Sequence, residues 1–187
     1  PIGENGVDLR NYGEPIGIIE ARKLGADILD SKIDLTIAGE QSSYLLMTQL
    51  LLGRFLFGLD DDPWKNDKEP AFLCAVPGFD RHFATLEGLG LKMHTVNLCS
   101  SGIDLDDLNK KLSKYPNIKG LICVPRHSNP SGEVFSDENI TNLLKITKEY
   151  NSSFINLFDH AYLIHDFDET RVQTPIPLLA DGLGALD

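Results

Sequence analysis

Residues 72–98 read "FLCAVPGFDRHFATLEGLGLKMHTVNL", and their order decides the fold. An apolar run of strand length (72–77) is followed by a Pro-Gly turn. A helix-like stretch (80–89) comes next, then a second strand-like run (92–98). Strand, helix and strand in this order predict a crossover between parallel neighbours.

The same alternation continues on both sides. "GLICVP" (120–125) and "SFINLFD" (153–159) have the length and the branched or aromatic content of strands, and "DLTIAG" (34–39) is strand-like. Helix-like stretches fall at 43–57, 104–114 and 137–150, with Asp104 and Ser136 as expected N-caps and acidic residues in the first turns. Regular alternation predicts an α/β fold of three α/β/α layers around a mostly parallel sheet. Ligands of such sheets bind outside the carboxyl ends of the strands. The acidic loop "LDDDPWKNDKEP" (59–70) reads as solvated surface, and there is no internal repeat.

The 187 residues carry 28 acidic and 17 basic side chains, a net charge of -11. That balance argues against a nucleic-acid surface, which needs clustered Lys and Arg. Cys74, Cys99 and Cys123 lie in or at the end of apolar runs and read as buried, reduced thiols, which suits the cytoplasm. No apolar run reaches membrane-spanning length, and no secretory signal is visible. Pro1 in place of Met, and the apolar ending "LLADGLGALD", lead us to expect a piece of a longer chain. We expect an N-terminal segment (1–30) and a partial domain (31–187).

Four positions at element ends offer chemistry. Gln41, Ser42 and Ser43 precede a helix whose N-terminal N–H groups favour an anion; the plain alternative is a serine N-cap. Phe79 could stack on a flat ligand or simply fill a core. Asn129, in "RHSNPSG", presents an amide on a turn set by Pro130 and Gly132, though Asn-Pro-x-Gly is also common turn chemistry. Asp159 closes an apolar strand, where a carboxylate needs a cation or several donors unless it caps the next helix, and Tyr162 follows it. Together they offer an anion cradle, an aromatic plate, an amide and a carboxylate. Pyridoxal phosphate asks for that set: an anion site, a carboxylate for its ring nitrogen, and donors to its phenolic oxygen.

"NYGEPIG", "VPGFDRHFATLEGLG", "IKGLICVPRHSNPSGEVFSDE" and "DHAYLIHDF" resemble stretches of the fold-type I pyridoxal-phosphate aminotransferases. The subgroup they resemble most is the bacterial-type aspartate aminotransferase and MocR-like branch, whose members carry similar PGYDRHF, VP-x-x-SNPTG and DNAY motifs. The resemblance runs from about Arg10 to His165. It implies a transfer of an amino group from an amino acid, with aspartate as the expected donor, to a 2-oxo acid. It also implies that Asp159 pairs with the pyridine nitrogen, that Tyr162 and Asn129 bond the phenolic oxygen, and that Phe79 stacks on the ring. Ser42 and Ser43, with backbone around Gln41, would hold the phosphate. Tyr12 would reach the phosphate of a neighbouring subunit in a homodimer. The Asn129–Pro130 bond is often cis in this fold.

The chain departs from the subgroup's pattern at Phe79 (usually Tyr), His127 (Tyr), Ser131 (Thr), Phe158 (Trp) and His160 (Asn). His160 is expected to support the site rather than to react. The lysine that links covalently to the cofactor is expected well beyond the DHAY stretch, yet no lysine follows Lys148, so we expect no catalytic residue here. The alternative is a non-catalytic relative that binds a ligand or a partner subunit. A nicotinamide-binding domain would need a G-x-G-x-x-G turn after its first strand, and the sequence has none, so that reading is set aside.

Overall fold

A computed structural model describes residues 1–39, 41–59 and 61–167. Along these the chain forms helix α1 (Ile19–Leu29), α2 (Ser43–Phe57), strand β1 (Ala71–Val76), α3 (Asp80–Gly88), β2 (Lys92–Cys99) and β3 (Gly102–Ile103). It continues with α4 (Leu105–Lys114), β4 (Ile118–Cys123), α5 (Asp137–Tyr150) and β5 (Ile155–Phe158). The sheet runs β3-β2-β1-β4-β5. Its β1–β2, β1–β4 and β4–β5 pairings are parallel, and only the short β3 is antiparallel to β2.

β1 lies at the centre and shows why the sheet is buried on both faces. Its alternate residues Ala71, Leu73 and Ala75 join Leu108, Leu112, Leu121, Ile140 and Leu143 in one core, under α4 and α5. The intervening Phe72 and Cys74 join Leu51, Trp64, Leu86 and Ile122 in a second core, under α2 and α3. A period of two within the strand thus feeds two helical layers, the expected α/β/α arrangement. Each fully buried Leu or Phe contributes roughly 1.5–3 kcal/mol. At Gly120 on β4 a Cβ would lie 2.4 Å from Ile155 O and 2.5 Å from the Phe72 ring, so glycine lets Phe72 cross the strand.

Local chemistry sets the helix starts. Asp104 accepts hydrogen bonds from the N–H groups of Asp106 (3.1 Å) and Asp107 (3.0 Å), and Ser136 Oγ from Asn139 N–H (3.1 Å). In α4, Asp106 and Asp107 lie in the first turn and Lys111 and Lys114 in the last, matching the helix dipole.

Three expectations need correction. Residues 34–39 form no sheet strand: Ile33–Leu35 is a single 3-10 turn, and the extended residues after it lack a strand partner. Within the stretch, Thr36 O accepts from Arg22 Nε (2.9 Å) and Ala38 N–H reaches Ile16 O (3.0 Å), while Arg22 also holds Ile33 O of the 3-10 turn (2.8 Å). The loop at 59–70 is more than solvated surface. Trp64 in it is 3% exposed and packs against Phe72, ring centroids 5.9 Å apart. Finally, Cys74 and Cys123 are buried, but Cys99 is exposed because the side chain at the last position of β2 faces out. Burial pushes the Cys74 thiol up to about 12. Helix α1 and strand β3 had no counterpart in the sequence reading.

No helix among the described residues is long and apolar enough to cross a membrane.

Candidate active site

The carboxyl ends of β1, β4 and β5 and the start of α2 close around a cavity of about 260 Å³. Ser42, Ser43, Phe79, Asn129, Asp159 and Tyr162 all line it, so six of the eight side chains singled out in the sequence meet at one place. Two larger clefts of about 470 Å³ lie around Pro116 and Asn117, at the opposite end of β4, and neither contains any of these six residues.

Each strand end delivers one part. After β1, Phe79 occupies the N-cap position of α3, and its ring meets the His82 ring edge-on at 5.2 Å. After β4, the chain turns through His127 (φ 52°) and a cis Asn129–Pro130 peptide. After β5, Asp159 continues the sheet contact through its N–H to Cys123 O (2.9 Å). Tyr162 Oη accepts a hydrogen bond from Asn129 Nδ2 (3.1 Å), joining two strand ends 33 residues apart.

Asp159 is buried, 7% exposed, and its carboxylate is held from two sides. His82 Nε2 lies 2.9 Å from Oδ2, and Ala161 N–H donates to Oδ1 (3.1 Å). Burial by itself would push the carboxyl up, but the His82 hydrogen bond and charge and the Ala161 N–H outweigh it and hold the group below its usual range. The cavity therefore has a carboxylate that stays ionised at neutral pH. Next to it, burial drives the His160 imidazole down to about 4, and the nearby Arg126 charge adds to the effect against the opposing pull of Asp159. Both ring nitrogens of His160 are buried without a hydrogen-bond partner.

Ser42 is the N-cap residue of α2, yet its side chain makes no capping bond. The hydroxyl is thus not consumed by the helix, and the plain serine-cap reading does not describe it. Helix α2 is braced against α3 by Thr85 Oγ1, which donates to Tyr44 Oη (2.6 Å). That contact fixes the serines relative to Phe79.

Two expected residues lie elsewhere. Tyr12 is 96% exposed and does not line the cavity, and neither does Gln41, which is exposed. The sequence reading missed Tyr44, His82 and Arg81, which do line it. His82 and Arg81 stood in the quoted "GFDRHF", but the value of the histidine came from a carboxylate 77 residues away. Among the described residues no His, Cys, Asp and Glu cluster could hold a metal ion.

A family model described as aspartate amino-transferase matches residues 2–181. An aspartate aminotransferase of Corynebacterium glutamicum is 34% identical over 163 residues, covering 86% of this chain and 37% of that protein. The crystal structure of an aspartate transaminase from Corynebacterium glutamicum superposes with a TM-score of 0.85 at 30% identity, over 95% of this chain and 42% of that one. A more distant match in fold is the α-aminoadipate aminotransferase LysN from Thermus thermophilus, solved with N-(5'-phosphopyridoxyl)-L-leucine. Its TM-score is 0.65 at 21% identity, over 84% of this chain and 37% of that one. The chain thus spans about two fifths of the length of these relatives.

Proposed function

The chain belongs to the aspartate aminotransferase family, and on that premise we propose that it forms the cofactor-holding part of an enzyme that transfers an amino group from an amino acid, aspartate first among them, to a 2-oxo acid with pyridoxal phosphate. The observation that carries this reading is the convergence of Asp159, Asn129, Tyr162, Phe79, Ser42 and Ser43 on one cavity. On this reading the partial domain begins near residue 31 and its own stretch supplies no catalytic group. Lys145 and Lys148, the last lysines of the chain, sit exposed on α5, so the covalent lysine would come from outside these residues.

The donor set fits the cofactor. The Ser42 hydroxyl, spared from capping, would hold the phosphate together with Ser43 and the N–H groups of the α2 start. Arg81, which lines the same cavity, would add a positive charge. Phe79 would cover one face of the ring. Asn129 and Tyr162, already bonded to each other, would face the phenolic oxygen. The Asp159 carboxylate would hold the proton on the ring nitrogen, with His82 and Ala161 N–H keeping it ionised and aimed. When bound, pyridoxal phosphate supplies a protonated ring that accepts the electron pair freed at the substrate carbon. Tyr12, fully exposed here, would reach the site of a second subunit in a homodimer, and Gln41 would contribute backbone only. The buried thiols Cys74 and Cys123 suit a cytoplasmic setting.

The test is a spectral titration of the full-length protein with pyridoxal phosphate, followed by an amino-transfer assay with aspartate and a 2-oxo acid. Cofactor uptake with formation of the new amino acid is expected. No spectral change at millimolar cofactor would overturn the proposal.

A further inference from the structure

We propose that Asp166 is a positioning residue. Its carboxylate, gripped by Arg126 and His127, locks the turn that carries Asn129 to the segment that carries Tyr162, so that amide and phenol meet at one point of the cavity. The inference rests on the cofactor reading above for its purpose, not for its geometry.

The two segments leave adjacent parallel strands, β4 and β5, whose backbone contact ends with Asp159 N–H donating to Cys123 O (2.9 Å), one residue past the last strand pair, Cys123 with Phe158. Beyond that point the connection is made by side chains. Asp166 Oδ1 accepts from Arg126 Nε (3.2 Å) and from His127 Nε2 (2.6 Å), the ring then being the tautomer protonated at Nε2. Its Oδ2 forms an ion pair with the Arg126 guanidinium. The Arg126 side chain is 8% exposed and that of Asp166 23%, so water screens the pair poorly. A guanidinium buried this far is costly without an anion.

His127 supplies the second tie. It lies in the left-handed region at φ 52°, which an L-residue occupies only where its surroundings hold it. The Asp166 contact is one such hold. Two residues on, the backbone reaches Asn129, whose Nδ2 donates to Tyr162 Oη at 3.1 Å. Among the described residues, turn and segment are therefore joined at the rim of the cavity by Asn129 and Tyr162, and behind it by Asp166. The rear joint carries charge and is the stronger. Without it, the rim joint would rest on a neutral hydrogen bond.

The experiment compares full-length Asp166→Asn with Asp61→Asn, which removes a remote ion pair to Arg54 (3.3 Å). In the cofactor-free protein, NMR follows the Asn129 side-chain amide and the Tyr162 ring carbon that bears the hydroxyl. In Asp166→Asn both signals should move toward solvent-exposed values, and the dissociation constant for pyridoxal phosphate should rise about tenfold, in keeping with a lost hydrogen bond. Asp61→Asn should leave all three readings as in the wild type. Should Asp166→Asn not fold, His127→Asn removes one tie only and should move the same two signals the same way. Unchanged Asn129 and Tyr162 signals in the folded variant overturn the proposal. So does an equal change in Asp61→Asn, since that marks general loosening. If the wild type takes up no pyridoxal phosphate while Asp166→Asn still frees Asn129, the lock stands and the cofactor reading fails.

Discussion

His82 Nε2 and Asp159 Oδ2 lie 2.9 Å apart, both side chains buried, joining the first turn of α3 to the end of β5 across 77 residues of sequence. The pair holds an ionised carboxylate in place at the cavity. Asp159 has a depressed carboxyl, so its stabilising contribution is present above the unfolded value of about 3.9 and is lost as pH falls through the lower folded value.

Replacing the histidine by a donor-free side chain of similar size should undo that. We expect His82→Leu to raise the Asp159 carboxyl pKa and to lower stability by about 1.5–3 kcal/mol, the range for a hydrogen bond to a charged group. Carbon-detected NMR titration of Asp159 and urea unfolding at pH 7 check both halves. An unmoved Asp159 titration would mean that Ala161 N–H alone holds the carboxylate.

Ser42 separates capping from ligand binding. An N-cap serine that bonds its helix loses about 1 kcal/mol on replacement by alanine. Ser42 makes no such bond, so Ser42→Ala should change stability by less than about 0.5 kcal/mol, as an ordinary surface change does. Its affinity for pyridoxal phosphate should nonetheless fall severalfold. Thermal melting without cofactor, beside a cofactor titration, distinguishes the two roles.

His160 predicts an acid-sensitive fold. Its imidazole is driven to about 4 by burial first, so between that value and the unfolded value of about 6.5 the unfolded chain binds a proton that the folded chain does not. Stability must then fall as pH drops through this window, with a slope approaching 1.36 kcal/mol per pH unit. His160→Asn should flatten this part of the curve. Urea midpoints at pH 7, 6, 5 and 4.5 for both proteins give the comparison, and parallel curves would refute it.

Asn139 is a polar residue that ties two elements together inside the core. It is 6% exposed and bonds both Ile103 N–H (2.9 Å) and Ile103 O (2.8 Å), linking α5 to β3. Asn139→Ala leaves the buried Ile103 N–H without a partner and Ile103 O with only a weak Cys99 Sγ contact (3.8 Å), and should cost about 2–4 kcal/mol. Chemical denaturation reads this directly, while pyridoxal phosphate binding to the folded fraction should be unchanged.

Much of the fold was legible because its signals are local. The helix at 43–57 appears at Ser43–Phe57, and Asp104 and Ser136 cap the helices they precede. The same is true of the four long strands, whose apolar runs need no distant partner to be recognised. Residues 34–39 misled for the complementary reason. Their composition is that of a strand, but a strand also needs a neighbouring strand, and among the described residues none pairs with them; Arg22 holds the Thr36 carbonyl instead. β3 is two residues long and carries too little pattern to be read.

The candidate site divides in the same way. Ser42, Ser43, Phe79, Asn129, Asp159 and Tyr162 follow apolar runs or open a helix, so their place at the rim of a parallel sheet was implied by position along the chain. His82, Arg126 and Asp166 gave no such sign, because their importance lies in partners 40 to 77 residues away. Alternating strands and helices by themselves determined the layers, the parallel sheet and the rim where chemistry belongs, since periodicity and capping are properties of neighbouring residues. Only the tertiary structure decided which buried charges face one another, because the cost of burying an ion is met by whatever the folded chain brings within hydrogen-bond distance.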